Sequence, residues 1–576
     1  MKVLLLHPDD NFESLQARSD CDLIVDLGRA PESFYDEWRH RVGCEIFSIF
    51  DLAIEVEDLL AWRDLLRVGL GYAVDQFGVD WWDVIGLLLQ PQMQELRLAQ
   101  RLADKIVACK RLTASRPSPV GNALRLRLGC AFEVTAAGVG GRLTRGVRRY
   151  GRAAANLGFG QLRQVIYDKY DAQYFWRRRF TSPARRSSEP VVLLPSAYSN
   201  VTRAAFRFAD VLPERRFLLV LARESGGISP VPGNVQVETL AAFAGTRPDA
   251  GELRELESDW QRLENSLRTH PEFELIARLG VFDVGKRWLR WCLAVRNAWN
   301  SVFEHRTVVS CLSADDSNPY TRIPLILARQ RQLPAVACHH GALDGMMAFK
   351  RPAFSTYLVK GEMERDYMAR VCGMDSALLQ IGGARDPRQD RLLWSDLAPW
   401  IVFFTEPYEA DLWRTGPIYR DVIPRLCAAA RQAGKRVVVK LHPFESLRQR
   451  RRMLDRTLNP EDRKLVNIIA APLSREMLAK TWCAVTVEST TAFECATVGI
   501  PAFLCGWLRH AYVGYARQYS RFGVAQMIDH ADDLLSLPRM VKAAIPPADL
   551  RDRLMSPIAP GRLSELLCNS QPVTLR

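Results

Sequence analysis

The feature that most constrains the fold is a series of short apolar runs in the last third of the chain. They are Ile401–Thr405, Arg436–Leu441, Val466–Ala470, Cys483–Val487 and Ala502–Cys505. Each has the length of a strand, helix-sized intervals separate them, and their interiors do not alternate apolar with polar residues. A strand that is apolar on both sides has to be covered on both faces, which crossover helices of a parallel sheet accomplish. These runs predict a parallel, doubly wound sheet, whose ligands bind beyond the carboxyl ends of its strands.

The same rhythm appears earlier. Val191–Leu194, Phe217–Leu221, Val235–Thr239, Val308–Cys311, Pro334–Cys338 and Ser355–Val359 predict a second sheet of this kind. A long helical stretch from about 251 to 304 interrupts it, and its Trp260, Trp288, Trp291 and Trp299 are expected to pack in a core. Residues 1–110 show a third α/β series, with strands expected at Val3–His7, Asp22–Leu27, Cys44–Ser48, Val84–Leu89 and Lys105–Cys109. The opening Met1-Lys-Val-Leu-Leu-Leu6 reads as a first strand, because His7-Pro8 and two aspartates end its apolar core.

Charge divides the chain unevenly. The net charge is +13, and the stretch 111–186 alone holds 16 Lys or Arg against 3 acids, so the rest balances. This marks a basic insertion, ending in Tyr167-Asp-Lys-Tyr-Asp-Ala-Gln-Tyr-Phe-Trp-Arg-Arg-Arg-Phe180. Aromatic rings beside clustered guanidinium groups suit an anionic membrane surface, and a solvated helix face is the plain alternative. The expected organisation is 1–186 as an N-terminal α/β region carrying the insertion 111–186, then Rossmann-like domains at 187–390 and 391–576. No apolar run reaches the ~18 residues of a membrane span. The 13 cysteines show no C-x-x-C or zinc-type spacing. They imply reduced thiols in a cytoplasmic protein and argue against a structural metal or a disulfide framework. No cofactor is expected, and the basic segment makes peripheral attachment to the inner face of the cell membrane an option.

Candidate chemistry gathers after the strands of the last series. His442-Pro443 comes directly after Val437-Val-Val-Lys-Leu441, where an imidazole can be aimed at a phosphate or a leaving-group oxygen. Glu488-Ser489-Thr490 comes after Val485-Thr-Val487 and opens a helix that Gly499 and Pro501 stop, so unpaired N–H groups and two hydroxyls form an anion site. Glu494 lies about 7 Å further along that helix, placed to accept ribose hydroxyls. Thr405, before Glu406-Pro407, also ends a strand on the donor side.

Lys440-Leu-His-Pro443, Glu488-Ser-Thr490 and Glu494-x5-Gly-x-Pro501 resemble the nucleotide-binding half of GT-B glycosyltransferases. The likeness is to the group that uses cytidine-nucleotide donors: capsule-type Kdo transferases, bacterial sialyl- and polysialyltransferases, and CDP-glycerol glycerophosphotransferases. Val336-Ala-Cys-His-His-Gly341, Tyr357-Leu-Val-Lys-Gly-Glu362 and Gln380-Ile-Gly-Gly-Ala-Arg-Asp386 extend it, with His339 in place of the usual glutamine. The resemblance implies two Rossmann-like domains facing a cleft. It assigns the donor phosphate to His442, Ser489 and Thr490, and the ribose to Glu494. It implies a metal-independent transfer of a Kdo or sialic-acid-like sugar from a nucleotide-activated donor. The acceptor would be a polysaccharide or a lipid-linked glycan, and no nucleic acid is expected as partner.

An inverting transfer needs a base for the acceptor hydroxyl. Asp316 is the first candidate and Asp315 the second, both after Val308-Val-Ser-Cys311; His340, ahead of Gly341, competes, and Glu224 is weaker. Two rival readings remain: glycerophosphate transfer from a CDP-glycerol-type donor, and a non-catalytic adaptor for membrane or nucleic acid on the same scaffold, working through Arg177, Arg178 and Arg179.

Overall fold

A computed structural model describes residues 1–8, 10, 21–52, 64, 71–134, 184–244, 248–384, 390–409, 412–508 and 514–568. Three all-parallel sheets carry the chain. The first holds β1 (Lys2–Leu6), β2 (Leu23–Asp26), β3 (Glu45–Ser48), β4 (Arg111–Ala114) and β5 (Ala131–Val134), in the order β3-β2-β1-β4-β5. The second holds β6 (Ser187–Ser196), β7 (Phe217–Leu221), β8 (Val235–Thr239), β9 (Arg306–Ser313), β10 (Ala335–Cys338), β11 (Thr356–Val359) and β12 (Leu379–Ile381), in the order β12-β11-β10-β9-β6-β7-β8. The third holds β13 (Trp400–Phe404), β14 (Arg436–Lys440), β15 (Val466–Ile469), β16 (Thr481–Thr486), β17 (Ala502–Cys505) and β18 (Gln526–Ile528), in the order β15-β14-β13-β16-β17-β18.

All three orders are doubly wound in the Rossmann manner. The first strand of each sheet lies beside its fourth, and the chain runs outward from that pair in both directions. The α/β, Rossmann-like class read from the apolar runs is therefore observed, and it extends to the N-terminal region. Among the described residues no helix is long and apolar enough to cross a membrane.

In the third sheet, Ile401 and Phe403, Val437, Val439 and Leu441, and Cys483, Val485 and Val487 enter one buried cluster. Ile418, Val422 and Leu426 of the helix Thr415–Ala433 cover it. The alternate residues, Phe404, Lys440 and Thr486 among them, face the other way, as the two-residue period of a strand requires. The helix Thr491–Val498 packs against β16 and β17 and ends at Gly499 (φ 92°), a left-handed conformation that glycine adopts without strain.

Two compact units result. One contains the first and third sheets, the other the second sheet together with residues 552–568. The domain division expected from the sequence puts that tail with the nucleotide-binding domain; instead Leu563 and Leu567 join the apolar cluster of the second sheet. Other expectations also need correction. Val84–Leu89 lies inside the helix Trp81–Lys105, because a fully buried helix and a fully buried strand show the same continuous apolar run. Lys105 ends that helix, and the strand expected at Lys105–Cys109 is β4, further along. The stretch 251–304 is three helices, 250–268, 271–278 and 281–305, with Gly280 (φ 74°) at the last break.

The basic insertion does not begin at 111. Residues 111–134 supply β4, a helix and β5 of the first sheet, and Arg111, Arg125 and Arg127 among them are exposed. The aromatic and arginine-rich segment Tyr167–Phe180 lies outside the described residues, as do Arg177, Arg178 and Arg179. The tryptophans of the 250–305 region pack as expected at Trp260 and Trp299, both fully buried, and Trp260 donates to the Phe282 carbonyl at 3.0 Å.

Within the first unit, the crevice of the N-terminal sheet is already filled. Arg414 donates to both oxygens of Asp26 (2.8 Å each) and to the carbonyls of His7 (2.8 Å), Pro8 (3.0 Å) and Asp10 (3.1 Å). All three guanidinium nitrogens are engaged beside the β1 end, where a doubly wound sheet otherwise admits a ligand. Here the arginine docks the sheet onto the third one.

Candidate functional site

In the third sheet, β13 and β16 are the neighbours at which strand order reverses. Beyond their carboxyl ends lie Thr405-Glu406 and Val487-Glu488-Ser489-Thr490, and β14, on the other side of β13, leads to His442. Two interstrand spacings, about 10 Å, separate the ends of β14 and β16. The predicted donor residues thus converge on one sheet edge.

Hydrogen bonds tie the three strand ends together. The His442 N–H donates to Thr405 Oγ1 (3.1 Å) and Glu445 Oε2 (2.9 Å), and Thr405 Oγ1 donates in turn to Glu445. Glu406 Oε1 accepts from Thr486 Oγ1 (3.2 Å) and from the Glu488 N–H (2.8 Å). Arg450, nearly fully buried, holds Glu445 (2.7 Å) and Glu409 (2.5 Å). Thr405 therefore positions the His442 backbone and spends its hydroxyl inside the protein.

His442 is half-buried. Its Nδ1 accepts from the Phe444 N–H (3.3 Å), which places the ring proton on Nε2. Burial, then the neighbouring Lys440 charge, lowers its pKa from 6.5 to about 4. At neutral pH the group is an uncharged imidazole, a hydrogen-bond donor through Nε2–H. Pro443 and Phe444 are exposed beside it, and the Phe444 ring meets the imidazole edge-on at 5.0 Å.

At the start of the helix Thr491–Val498, Ser489 Oγ accepts from the Thr491 N–H (3.3 Å), while the capping residue Thr490 makes no side-chain cap. Thr491 Oγ1 is buried and lacks a hydrogen-bond partner. An unsatisfied buried hydroxyl costs free energy unless something bonds to it. Glu488, Ser489 and Thr490 are half-buried, as is Glu494. Burial lowers the pKa of Lys440, and the charges of Glu445 and then Glu494 act in the opposite direction.

In the second sheet the order reverses between β6 and β9, and Asp315 and Asp316 come after β9. Their carboxylates part. Asp315 accepts from the Ser317 N–H (3.1 Å), Asn318 Nδ2 (2.7 Å) and Thr321 Oγ1 (3.1 Å). Asp316 is ion-paired with Lys350 and with Arg322 (3.1 Å), all three being buried. Lys350 also binds Asp344 (2.7 Å), and Arg322 binds Asp83. Asp316 is thus the centre of a buried charge network, its carboxylate oxygens held by two cations.

His340 lies just past the adjacent β10. Its ring stacks obliquely on His339, centroids 4.4 Å apart, and its Nδ1 is buried with no hydrogen-bond partner. Burial lowers its pKa, against the opposing pull of the Asp315 carboxylate and a hydrogen bond to the Ala314 carbonyl. It is neutral, with one ring nitrogen tied to that carbonyl and the other, Nδ1, buried without a partner. Glu224 is exposed after β7, with β6 between it and β9.

Sequence reasoning missed Glu406, Glu445, Arg450, Thr486, Thr491 and the role of Lys440. Lys440, Glu406 and Thr486 stood inside stretches already quoted and Thr491 adjoined one, whereas Glu445 and Arg450 carried no signal.

No family model and no curated protein matches the chain. Among solved structures it is similar to the UDP-GlcNAc 2-epimerase from Methanocaldococcus jannaschii: 8% identity, TM-score 0.36, over 61% of this chain and 92% of that one. It is similar to the wall teichoic acid polymerase TagF, H548A form, at 9% and 0.36, over 70% and 94%. A third is the S. aureus MnaA–UDP co-structure, at 10% and 0.34, over 66% and 94%. Identities and scores this low transfer neither activity nor ligand.

Proposed function

We propose that the chain is a glycosyltransferase of GT-B type that takes a sugar from a nucleotide-activated donor. The observation that carries the reading is the edge of the third sheet. A neutral imidazole carrying its proton on Nε2, a helix N-terminus and the hydroxyls of Ser489, Thr490 and Thr491 lie there at the reversal of strand order. Those donors suit a phosphate whose charge grows as the sugar leaves, and preorganised donors of that kind are usually the largest contribution to such a step. His442 would donate a hydrogen bond to the departing phosphate as an uncharged imidazole, through its Nε2–H. Glu494 would accept from the ribose. No metal is called on.

For the acceptor hydroxyl, the proposed base is His340, with Asp315 keeping its imidazole receptive. Asp316 is left to hold Lys350 and Arg322 in place. The cytidine donor, the Kdo or sialic-acid-like sugar, and an acceptor that is a surface polysaccharide or lipid-linked glycan are proposed from the motifs. The enzyme would work in the cytoplasm or at the inner face of the cell membrane.

Titration calorimetry with CMP, CDP and UDP tests the reading. One of them should bind with a Kd in the micromolar range and raise the melting midpoint by mass action. Absence of binding by all three at millimolar concentration would overturn it.

A further inference from the structure

The helix Leu447–Thr457, which comes after β14 and the turn at His442, has two opposed sides. Arg450 and Leu454 hold the inner one: Arg450 is ion-paired with Glu409 and Glu445, and Leu454 belongs to the buried cluster of the third sheet. The outer side carries Arg448, Arg451, Arg452 and Arg456, all exposed. At 3.6 residues per turn they fall within an arc of about 140°. Among the described residues none of the four makes an ion pair or a side-chain hydrogen bond.

Elsewhere an exposed helical arginine has an acid one turn back. Arg41, Arg268, Arg278 and Arg370 pair with Glu37, Glu264, Glu274 and Asp366, each four residues earlier. Four residues before Arg451, Arg452 and Arg456 stand Leu447, Arg448 and Arg452. Arg448, Arg452 and Arg456 therefore stack in one row, where like charges four apart repel and weaken a helix. The helix dipole favours a cation in the last turn, which accounts for Arg456 alone. Apolar groups border the same side. Phe444 is 52% exposed and Leu447 39%, and no other phenylalanine or tryptophan among the described residues is exposed.

We propose that this side of the helix is a docking surface for an anionic lipid bilayer, with the four guanidinium groups on lipid phosphates and with Phe444 and Leu447 entering the headgroup layer. A bilayer meets both features at once: it relieves the repulsion within the arginine row and removes the two apolar side chains from water. A strand of nucleic acid or an acidic polysaccharide would engage the arginines and leave Leu447 wet. The surface needs nothing from Tyr167–Phe180. It goes beyond the proposed function and does not depend on it; where both hold, His442 lies at the turn leading into a membrane-bound helix.

The test is flotation of the full chain with vesicles of phosphatidylcholine, alone or with about a third phosphatidylglycerol, beside thermal melting. The wild type should partition onto the anionic vesicles only, and more weakly as salt rises from about 0.1 to about 0.5 M. Replacing Arg448, Arg451, Arg452 and Arg456 together by glutamine should leave the melting midpoint no lower and cut the partition coefficient at least a hundredfold, at about fivefold per arginine. Arg451→Gln with Arg452→Gln, the milder change, should cut it about 25-fold by the same rule. Phe444→Ser with Leu447→Ser should cut it about tenfold. Vesicle binding that is unchanged in a folded arginine variant, equally strong on phosphatidylcholine alone, or absent from the wild type overturns the proposal. A wild type that ignores vesicles and binds heparin or a single-stranded oligonucleotide through these arginines overturns it in favour of a soluble polyanion. Vesicle binding without nucleotide binding upholds the surface and removes the glycosyltransferase reading, and nucleotide binding without vesicle binding does the reverse.

Discussion

Replacing His442 with alanine separates ligand binding from folding more cleanly than any other change at this edge. The residue's backbone N–H keeps its bonds to Thr405 and Glu445 whatever the side chain. The ring itself gives the apo fold one long hydrogen bond from the Phe444 N–H (3.3 Å) and an edge contact with an exposed ring. Its removal should cost at most about 1 kcal/mol of stability. A hydrogen bond from Nε2 to a charged phosphate contributes roughly 1.5–3 kcal/mol. At 1.4 kcal/mol per tenfold, nucleotide affinity should fall by about 10- to 150-fold. Calorimetry of wild type and His442→Ala with the preferred nucleotide, alongside their melting curves, measures both quantities. Because the imidazole is neutral down to about pH 4, the ratio of the two affinities should be flat between pH 8 and 6. Equal affinities in two folded proteins would refute the assignment of Nε2–H to phosphate. A ratio that grew tenfold per unit of acidification would refute the neutral donor and make His442 a cation in the complex.

The same imidazole makes stability depend on pH. Its folded pKa, about 4, lies below the ordinary 6.5, so the unfolded chain takes up a proton first. Its contribution is whole above about pH 6.5 and is lost as pH falls towards 4, and the melting advantage of wild type over His442→Ala should shrink across that interval. Thr491→Val removes a buried hydroxyl without a partner; the apo protein should be unchanged or stabilised by about 1 kcal/mol, and nucleotide affinity should drop in the same calorimetry. Asp316→Asn takes the charge from between Lys350 and Arg322 and should cost about 3–5 kcal/mol in urea unfolding. His340→Ala should fold normally and lose turnover; if it keeps turnover while a folded Asp316→Asn does not, the choice of base is reversed. Arg414→Met leaves Asp26, fully buried, with only Tyr35 Oη and the Gly28 N–H as donors, and should cost about 3–5 kcal/mol, again read by urea unfolding.

The range of the forces concerned decides how much of this molecule was legible in its sequence. Burial of a strand on both faces is written locally, so Ile401–Thr405, Arg436–Leu441 and their successors disclose the third sheet without knowledge of their neighbours. Strand order is not local. The placement of β13 between β14 and β16 depends on where each crossover helix returns, and no residue within a run encodes it. His442 and Ser489 could be suspected separately, but that they flank the reversal of order could not. The Val84–Leu89 run failed for the complementary reason, since a helix buried all round leaves no period to distinguish it from a strand.

Charge was legible as a total and illegible as a pattern. Asp316 looked like a base because an acid at a strand end is where one belongs, yet its two cations come from Arg322, six residues on, and Lys350, thirty-four on. The same rule applies to cations. A carboxylate or ammonium whose partners are all internal is committed to the fold, as Asp316, Arg414 and Arg450 are. Lys440 lies two residues before a motif histidine and is as buried as Arg306, but has no such partner. Every other buried cation among the described residues is paired with a carboxylate, so Lys440 is the buried cation that internal pairing does not commit to the fold.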